Sequence, residues 1–192
     1  MGFPQKVSGY DELEFAIKRA HLADVLIFAA ASNGGGNKDR AYPARDKHVF
    51  CIHATDAWGN RSRFSPTAER NTYNFATVGE AVESFWPKHL CNPDEAAVRT
   101  KSGTSFATPI AASVAAFLLL YARVNLVDEP EISQRLKGFQ AMELLLYEVC
   151  QSSRAKTDRD GYQYIFLSQY PGTFFGRDRD REEINNRFRR CT

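Results

Sequence analysis

Lys101-Ser102-Gly103-Thr104-Ser105-Phe106-Ala107-Thr108-Pro109 runs directly into an apolar stretch that ends at Leu118-Leu119-Leu120. The small, turn-prone residues stop at Ser105. Behind them the chain is apolar on nearly every face, which predicts a helix buried all round. A serine in the first turn of such a helix sits among backbone N–H groups with no intrahelical acceptor, at the positive end of the dipole. Those conditions stabilise an oxyanion forming beside a nucleophilic hydroxyl. Taken alone, Thr104 or Ser105 would read as a cap on a core helix. Pro109 is out of place in a helix chosen by propensity, because it removes an interior hydrogen bond.

Upstream, residues 10 to 23 carry apolar side chains at helical spacing (Tyr10, Leu13, Phe15, Ala16, Ile17, Ala20, Leu22), with Asp11, Glu12, Lys18 and Arg19 on the other side. Asp24 then serves as a turn before Val25-Leu26-Ile27-Phe28-Ala29-Ala30-Ala31, a continuous apolar run typical of a parallel strand covered on both faces. It ends in Ser32-Asn33-Gly34-Gly35-Gly36-Asn37. A phosphate-binding reading of these glycines needs a helix opening from them; Lys38-Asp39-Arg40-Ala41-Tyr42-Pro43-Ala44 is loop instead. Asn33 by itself would be a turn residue that tolerates left-handed geometry. Further strands are expected over 48–55, 73–79 and 161–167, a helix over 132–150, and irregular chain over 80–100.

Two strings together carry a family resemblance. Gly103-Thr104-Ser105-x-Ala107-Thr108-Pro109 resembles the nucleophile motif of subtilisin-like serine peptidases. Ala30-Ala31-Ser32-Asn33, followed by Tyr42-Pro43-Ala44, is similar to the family's strand that carries the oxyanion-hole asparagine. The resemblance implies Ser105 as nucleophile and Asn33 as the amide that donates to the oxyanion. A neutral amide suits that task, since it donates without titrating. It further implies a peptide substrate lying along Ala29, Ala30, Ala31 and Ser32, with Gly103 and Thr104 lining the site. Ser32 departs from the family's usual glycine.

The resemblance starts near Tyr10 and is close to about Leu126, which corresponds to the second half of the family's catalytic domain. The implied fold is α/β: part of a parallel-sheet sandwich with helices on both faces and a buried central helix starting at the nucleophile. The family's aspartate and histidine contexts are missing. His21, His48 and His89 lack the Gly-Thr that follows the family histidine, and His53 lies after Asn33, in the wrong order. Each histidine is expected at the surface or at a strand end. The chain is therefore expected to be a fragment, a truncated gene product or one part of a split protein, inactive alone and dependent on a missing N-terminal half or partner chain. A non-catalytic peptide- or partner-binding module is the other reading.

Composition bounds the rest. The 192 residues, 43 % hydrophobic and 25 % charged, fit a globular domain, and a net charge of +2 gives no reason to invoke nucleic acid. Residues 1–170 are expected to form the partial domain, and 171–192 a densely charged, solvated or frayed tail. The apolar run from Phe106 to Tyr121 is short for a membrane span. The four cysteines (Cys51, Cys91, Cys150, Cys191) are far apart, without zinc or disulfide-framework spacing, and no leader-like layout opens the chain. No cofactor or metal is expected, and a cytoplasmic setting is favoured.

Overall fold

The computed structural model describes residues 10–92, 97–151 and 158–192. Helix α1 (Tyr10–Leu22) has Asp11 and Glu12 in its first turn and Arg19 in its last, each charge opposing the nearby end of the dipole. Asp24, at φ 54°, turns the chain into strand β1 (Phe28–Ala30). Strands β2 (Phe50–Thr55), β3 (Phe75–Val78) and β7 (Tyr162–Tyr164) follow β1 in one parallel sheet, and β6 (Asp158–Arg159) closes it antiparallel to β7. Among the described residues, β1 ends that order as an edge strand.

Alternation along the strands builds two cores. Phe50, Ile52, Ala54 and Phe75 face helices α2 (Thr104–Asn125) and α4 (Phe139–Gln151). Ala29, Ala31, Val49 and Cys51 face Ile17 of α1 on the other side. This is an α/β architecture with helices on both faces of a parallel sheet. The expected strands are all present but shorter: Val25 is 53 % exposed and lies outside β1.

Four expectations are corrected. The region 80–100 is not wholly irregular; β4 (Val82–Phe85) and β5 (Val98–Lys101) pair as an antiparallel ribbon leading into α2. The expected helix over 132–150 is broken into α3 (Pro130–Arg135) and α4, with Gly138 at the junction. α2 is longer than the apolar run: at 22 residues it reaches bilayer-spanning length and apolarity, yet it packs along β1, β2 and β3. It is also buried on one side only, because the sheet covers one side. Ser105, Pro109, Ser113, Ala116, Leu120 and Val124 form an exposed stripe at three- and four-residue spacing.

The charged C-terminal segment also departs from expectation. Helix α5 (Arg181–Arg190) begins with a capping box between Asp180 and Glu183, and Ile184, Asn185 and Phe188 are buried. Phe188 stacks on Tyr121 of α2 at 5.0 Å. Arg189 binds Glu129 and Glu182, which ties α5 to the α2–α3 junction. The apolar contacts repeat every four residues inside a charged sequence, enough to bury one face.

Candidate active site

The C-terminal end of β1 and the start of α2 meet although they are far apart in sequence. Gly103 N donates to Gly79 O at 2.8 Å, and Ser102 Oγ accepts from Ala81 N at 3.0 Å; these bonds root α2 at the end of β3. Gly103 and Gly79 approach closely: a Cβ on Gly79 would lie 2.9 Å from Gly103 O and 2.7 Å from the Ala54 Cβ. Thr104, fully buried, donates its backbone N–H to Asn33 Oδ1 at 2.8 Å. Its hydroxyl lies 3.0 Å from the same oxygen and 3.2 Å from Ser32 O.

An N–H only donates, so the Asn33 atom facing Thr104 is the carbonyl oxygen, and the amide nitrogen is turned away. Among the described residues, Asn33 Nδ2 has no acceptor. Ser105 comes next on α2, with its side chain exposed. Its N–H also lacks an acceptor among the described residues, whereas Phe106 and Ala107 both donate to Gly103 O. Ser105 N–H is therefore an unclaimed donor at the positive end of a long helix, and Asn33, held through Oδ1 by the preceding residue Thr104, keeps a second unclaimed donor in Nδ2, beside Gly103. Pro109 lies at i+4 from Ser105, so it removes the N–H that would otherwise bond the Ser105 carbonyl.

Asn33 does not adopt the left-handed geometry of a turn asparagine. The positive φ falls on its neighbour Ser32, at 145°. Ser32 Oγ accepts from Gly34 N at 3.2 Å and bridges the start of the glycine loop.

The other site residues expected from the sequence divide. Gly103, Thr104, Ser32 and Asn33 are brought together. Ala29, Ala30 and Ala31 lie alongside but are buried, so a bound peptide would reach only their main chain. Ala31 is fully committed: its N–H donates to Ile52 O, and its carbonyl accepts from Ala41 N.

Among the described residues no histidine is hydrogen-bonded to Ser105. The His21 and His48 rings lie 4.2 Å apart in a tilted pair, and His48 Nδ1 lies 3.2 Å from Asp46. His89 is in the short 3-10 helix Lys88–Leu90. His53 is not a surface or strand-end residue, as its context suggested; it is fully buried within β2, with every residue of that strand buried. Its ring lies 3.4 Å from Ser65 Oγ and 3.6 Å from Cys51 Sγ. Burial, reinforced by Arg40 and Arg61, lowers its pKa to about 3, while burial pushes the Cys51 thiol up to about 12. A neutral imidazole beside a protonated thiol is a packed polar pair. The signal that could have placed it was the unbroken apolar context of Phe50-Cys51-Ile52-His53-Ala54.

The model of the subtilase family, peptidase S8, matches residues 2–137. The chain belongs to the subtilase family. This subtilase chain is 34 % identical over 111 residues to the subtilisin-like protease het-Q2 of Podospora anserina, covering 57 % of this chain and 29 % of the relative. It is 35 % identical over 131 residues to a thermostable alkaline protease of Halalkalibacterium halodurans, covering 67 % of this chain and 32 % of the relative. Among solved structures, the prenylagaramide maturation protease PagA superposes with TM-score 0.61 at 25 % identity, over 86 % of this chain and 57 % of that one. The PatG macrocyclase in complex with peptide has the same fold, with TM-score 0.57 at 20 % identity, over 90 % of this chain and 48 % of that one. The chain spans about a third of the length of these two curated subtilase relatives.

Proposed function

We propose that this subtilase chain carries the nucleophile and oxyanion-binding part of a serine endopeptidase. Ser105 Oγ attacks the scissile carbonyl of an extended peptide, and the oxygen that becomes negative is held by Ser105 N–H and Asn33 Nδ2. The single observation behind this reading is that Asn33 is tied through Oδ1 to Thr104, next to the exposed Ser105, which leaves Asn33 Nδ2 and Ser105 N–H both unclaimed among the described residues. Donors preorganised in this way act on charge present only in the transition state, and losing one typically costs about 10²–10³ in turnover.

A serine hydroxyl still needs a base within hydrogen-bond reach and a carboxylate to orient that base. We assign both to polypeptide outside these 192 residues. Its seat is the exposed stripe of α2, which begins at Ser105 and continues into a groove of about 760 Å³ between α2 and α3. Leu119, Leu120, Leu126 and Val127 line that groove, and Val127 is 70 % exposed. The edge of β1, which ends the sheet among the described residues, is the second place for added structure, since such an edge invites a further strand.

A peptide-hydrolysis assay tests this reading on the chain co-produced with a polypeptide spanning the aspartate- and histidine-bearing half of a subtilase. Hydrolysis that Ser105→Ala abolishes supports it; a stable complex with no Ser105-dependent hydrolysis overturns it. The second reading, a module that binds peptide or partner without cleaving, draws on the lack of any histidine hydrogen-bonded to Ser105 among the described residues and would be left standing by that second result.

A further inference from the structure

We infer that the cavity at the N-terminal ends of β2 and β3 is a binding site for a small organic carboxylate with a flat apolar body. The cavity measures about 240 Å³ and lies at the other end of the sheet from Gly79, where α2 and Ser105 are rooted. Phe50 and Phe75, the first residues of β2 and β3, line it together with Phe139, the first residue of α4. The Phe50 ring stacks on Phe139 at 4.3 Å and lies 6.2 Å from Phe75, which makes an aromatic wall. Pockets for drug-sized ligands begin at roughly 300 Å³, so this one suits a single ring.

The polar part of the lining favours an anion. Arg40 lines the cavity with a side chain only 6 % exposed. Its Nη2 donates to Asn74 Oδ1. Its Nε is buried and has no aligned acceptor among the described residues, although Glu69 Oε1 lies 3.2 Å away. A buried guanidinium with an unmade donor is costly, and a carboxylate matches its planar fork. Arg45 and Lys47, both exposed, line the same cavity and form no ion pair among the described residues. Three acids share the lining with them. Asp46 is engaged by His48, accepting from its backbone N–H at 2.9 Å and lying 3.2 Å from its Nδ1. Glu69 is paired with Arg40 and more than half exposed. Burial raises the Glu143 carboxyl above the usual carboxylate range, which favours its neutral form. Two unpaired cations and the unmade Arg40 donor therefore stand against one carboxyl group that has no ion pair.

The test is an NMR titration of the full chain with benzoate, set against benzamide, the uncharged ring, and inorganic phosphate, an anion without a ring. Benzoate is expected to shift the amide signals of Phe75 and of Cys51, which also lines the cavity, in a saturable way. It is expected to bind at least tenfold more tightly than benzamide or phosphate. Arg45→Gln combined with Lys47→Gln is expected to weaken benzoate at least tenfold; both residues are exposed, so the fold is kept. Arg40→Gln is expected to abolish the saturable shifts, and the surface pair decides the matter if loss of the Asn74 and Glu69 contacts unfolds that variant. Ser105→Ala is expected to bind benzoate as the parent does, so the outcome stands apart from the peptidase reading. Benzamide binding as tightly as benzoate would reduce the cavity to an apolar pocket, and phosphate doing so would reduce it to a basic patch. Either result, no saturable shift with benzoate, or an unchanged affinity in the Arg45 and Lys47 double variant overturns the inference.

Discussion

Gly103 and Asn33 are in contact through a gap that only a glycine leaves open: a Cβ on Gly103 would lie 3.1 Å from Asn33 Nδ2. That nitrogen is the donor assigned to the oxyanion, so the missing side chain at 103 leaves it room. Gly103→Ala is expected to displace the amide by a few tenths of an ångström and slow Ser105 phosphonylation in the complemented complex by about tenfold or more, given the cost of misplacing one donor. Measuring the labelling rate alongside the melting temperature separates this from unfolding. An unchanged rate would show that Asn33 Nδ2 does not act there.

Ser32 holds φ 145° where backbone strain favours glycine. Ser32→Gly is expected to raise stability by roughly 1 kcal/mol, the scale of one relieved backbone outlier, less the extra freedom of the unfolded chain. Urea unfolding reads the difference. A loss of more than about 1 kcal/mol would mean that the Ser32 Oγ bond to Gly34 N outweighs the strain.

His53 sets a pH dependence whose sign follows from its environment. Its folded pKa is about 3, below the unfolded value near 6.5, so the folded state resists the proton that the unfolded state accepts. This contribution is fully present above about pH 6.5 and is lost as pH falls toward about 3, at up to about 1.4 kcal/mol per pH unit. His53→Gln removes it. The difference in urea midpoint between parent and variant should change steadily from pH 6.5 to pH 4; a constant difference would contradict the buried neutral imidazole.

α5 is part of the folded unit. Asp180→Ala deletes one side of its capping box and is expected to cost about 1 kcal/mol. Phe188→Ala removes a fully buried ring that stacks on Tyr121 and is expected to cost about 3–5 kcal/mol. Denaturant unfolding measures both. Negligible effects would return this segment to the solvated tail that its charge suggests.

What the sequence disclosed and what it hid follow from the range of the interactions. The two strings that hold Ser105 and Asn33 could be singled out because each is short and contiguous, and the structure brings them into contact through Thr104. The parallel strands were legible as apolar runs buried on both faces. The pairing of Thr104 with Asn33 was not, because it joins positions 71 residues apart. The β4–β5 ribbon left no alternating pattern, since most of its residues are exposed on both faces. In α5 the arginines and glutamates masked Ile184 and Phe188, whose i, i+4 spacing buries one face. The half-exposure of α2 was hidden for a different reason: composition reports how apolar a helix is, and only neighbours decide which sides are covered.

The exposed stripe of α2 carries its own expectation. Leu120 and Val124, 58 % and 63 % exposed, should drive self-association of the chain alone. Leu120→Glu should shift sedimentation toward monomer and weaken binding of a complementing half at least tenfold. If complementation is unaffected, the seat lies elsewhere, and the edge of β1 is the remaining place.

The most direct measurement is the site of phosphonylation, mapped by mass spectrometry after fluorophosphonate treatment of the chain alone and of the complemented complex. The expected result is no adduct on the chain alone and a single adduct on Ser105 in the complex, absent in Ser105→Ala. An adduct on another residue, or none on Ser105 in a folded complex that retains the aspartate and histidine, would contradict its role as the nucleophile.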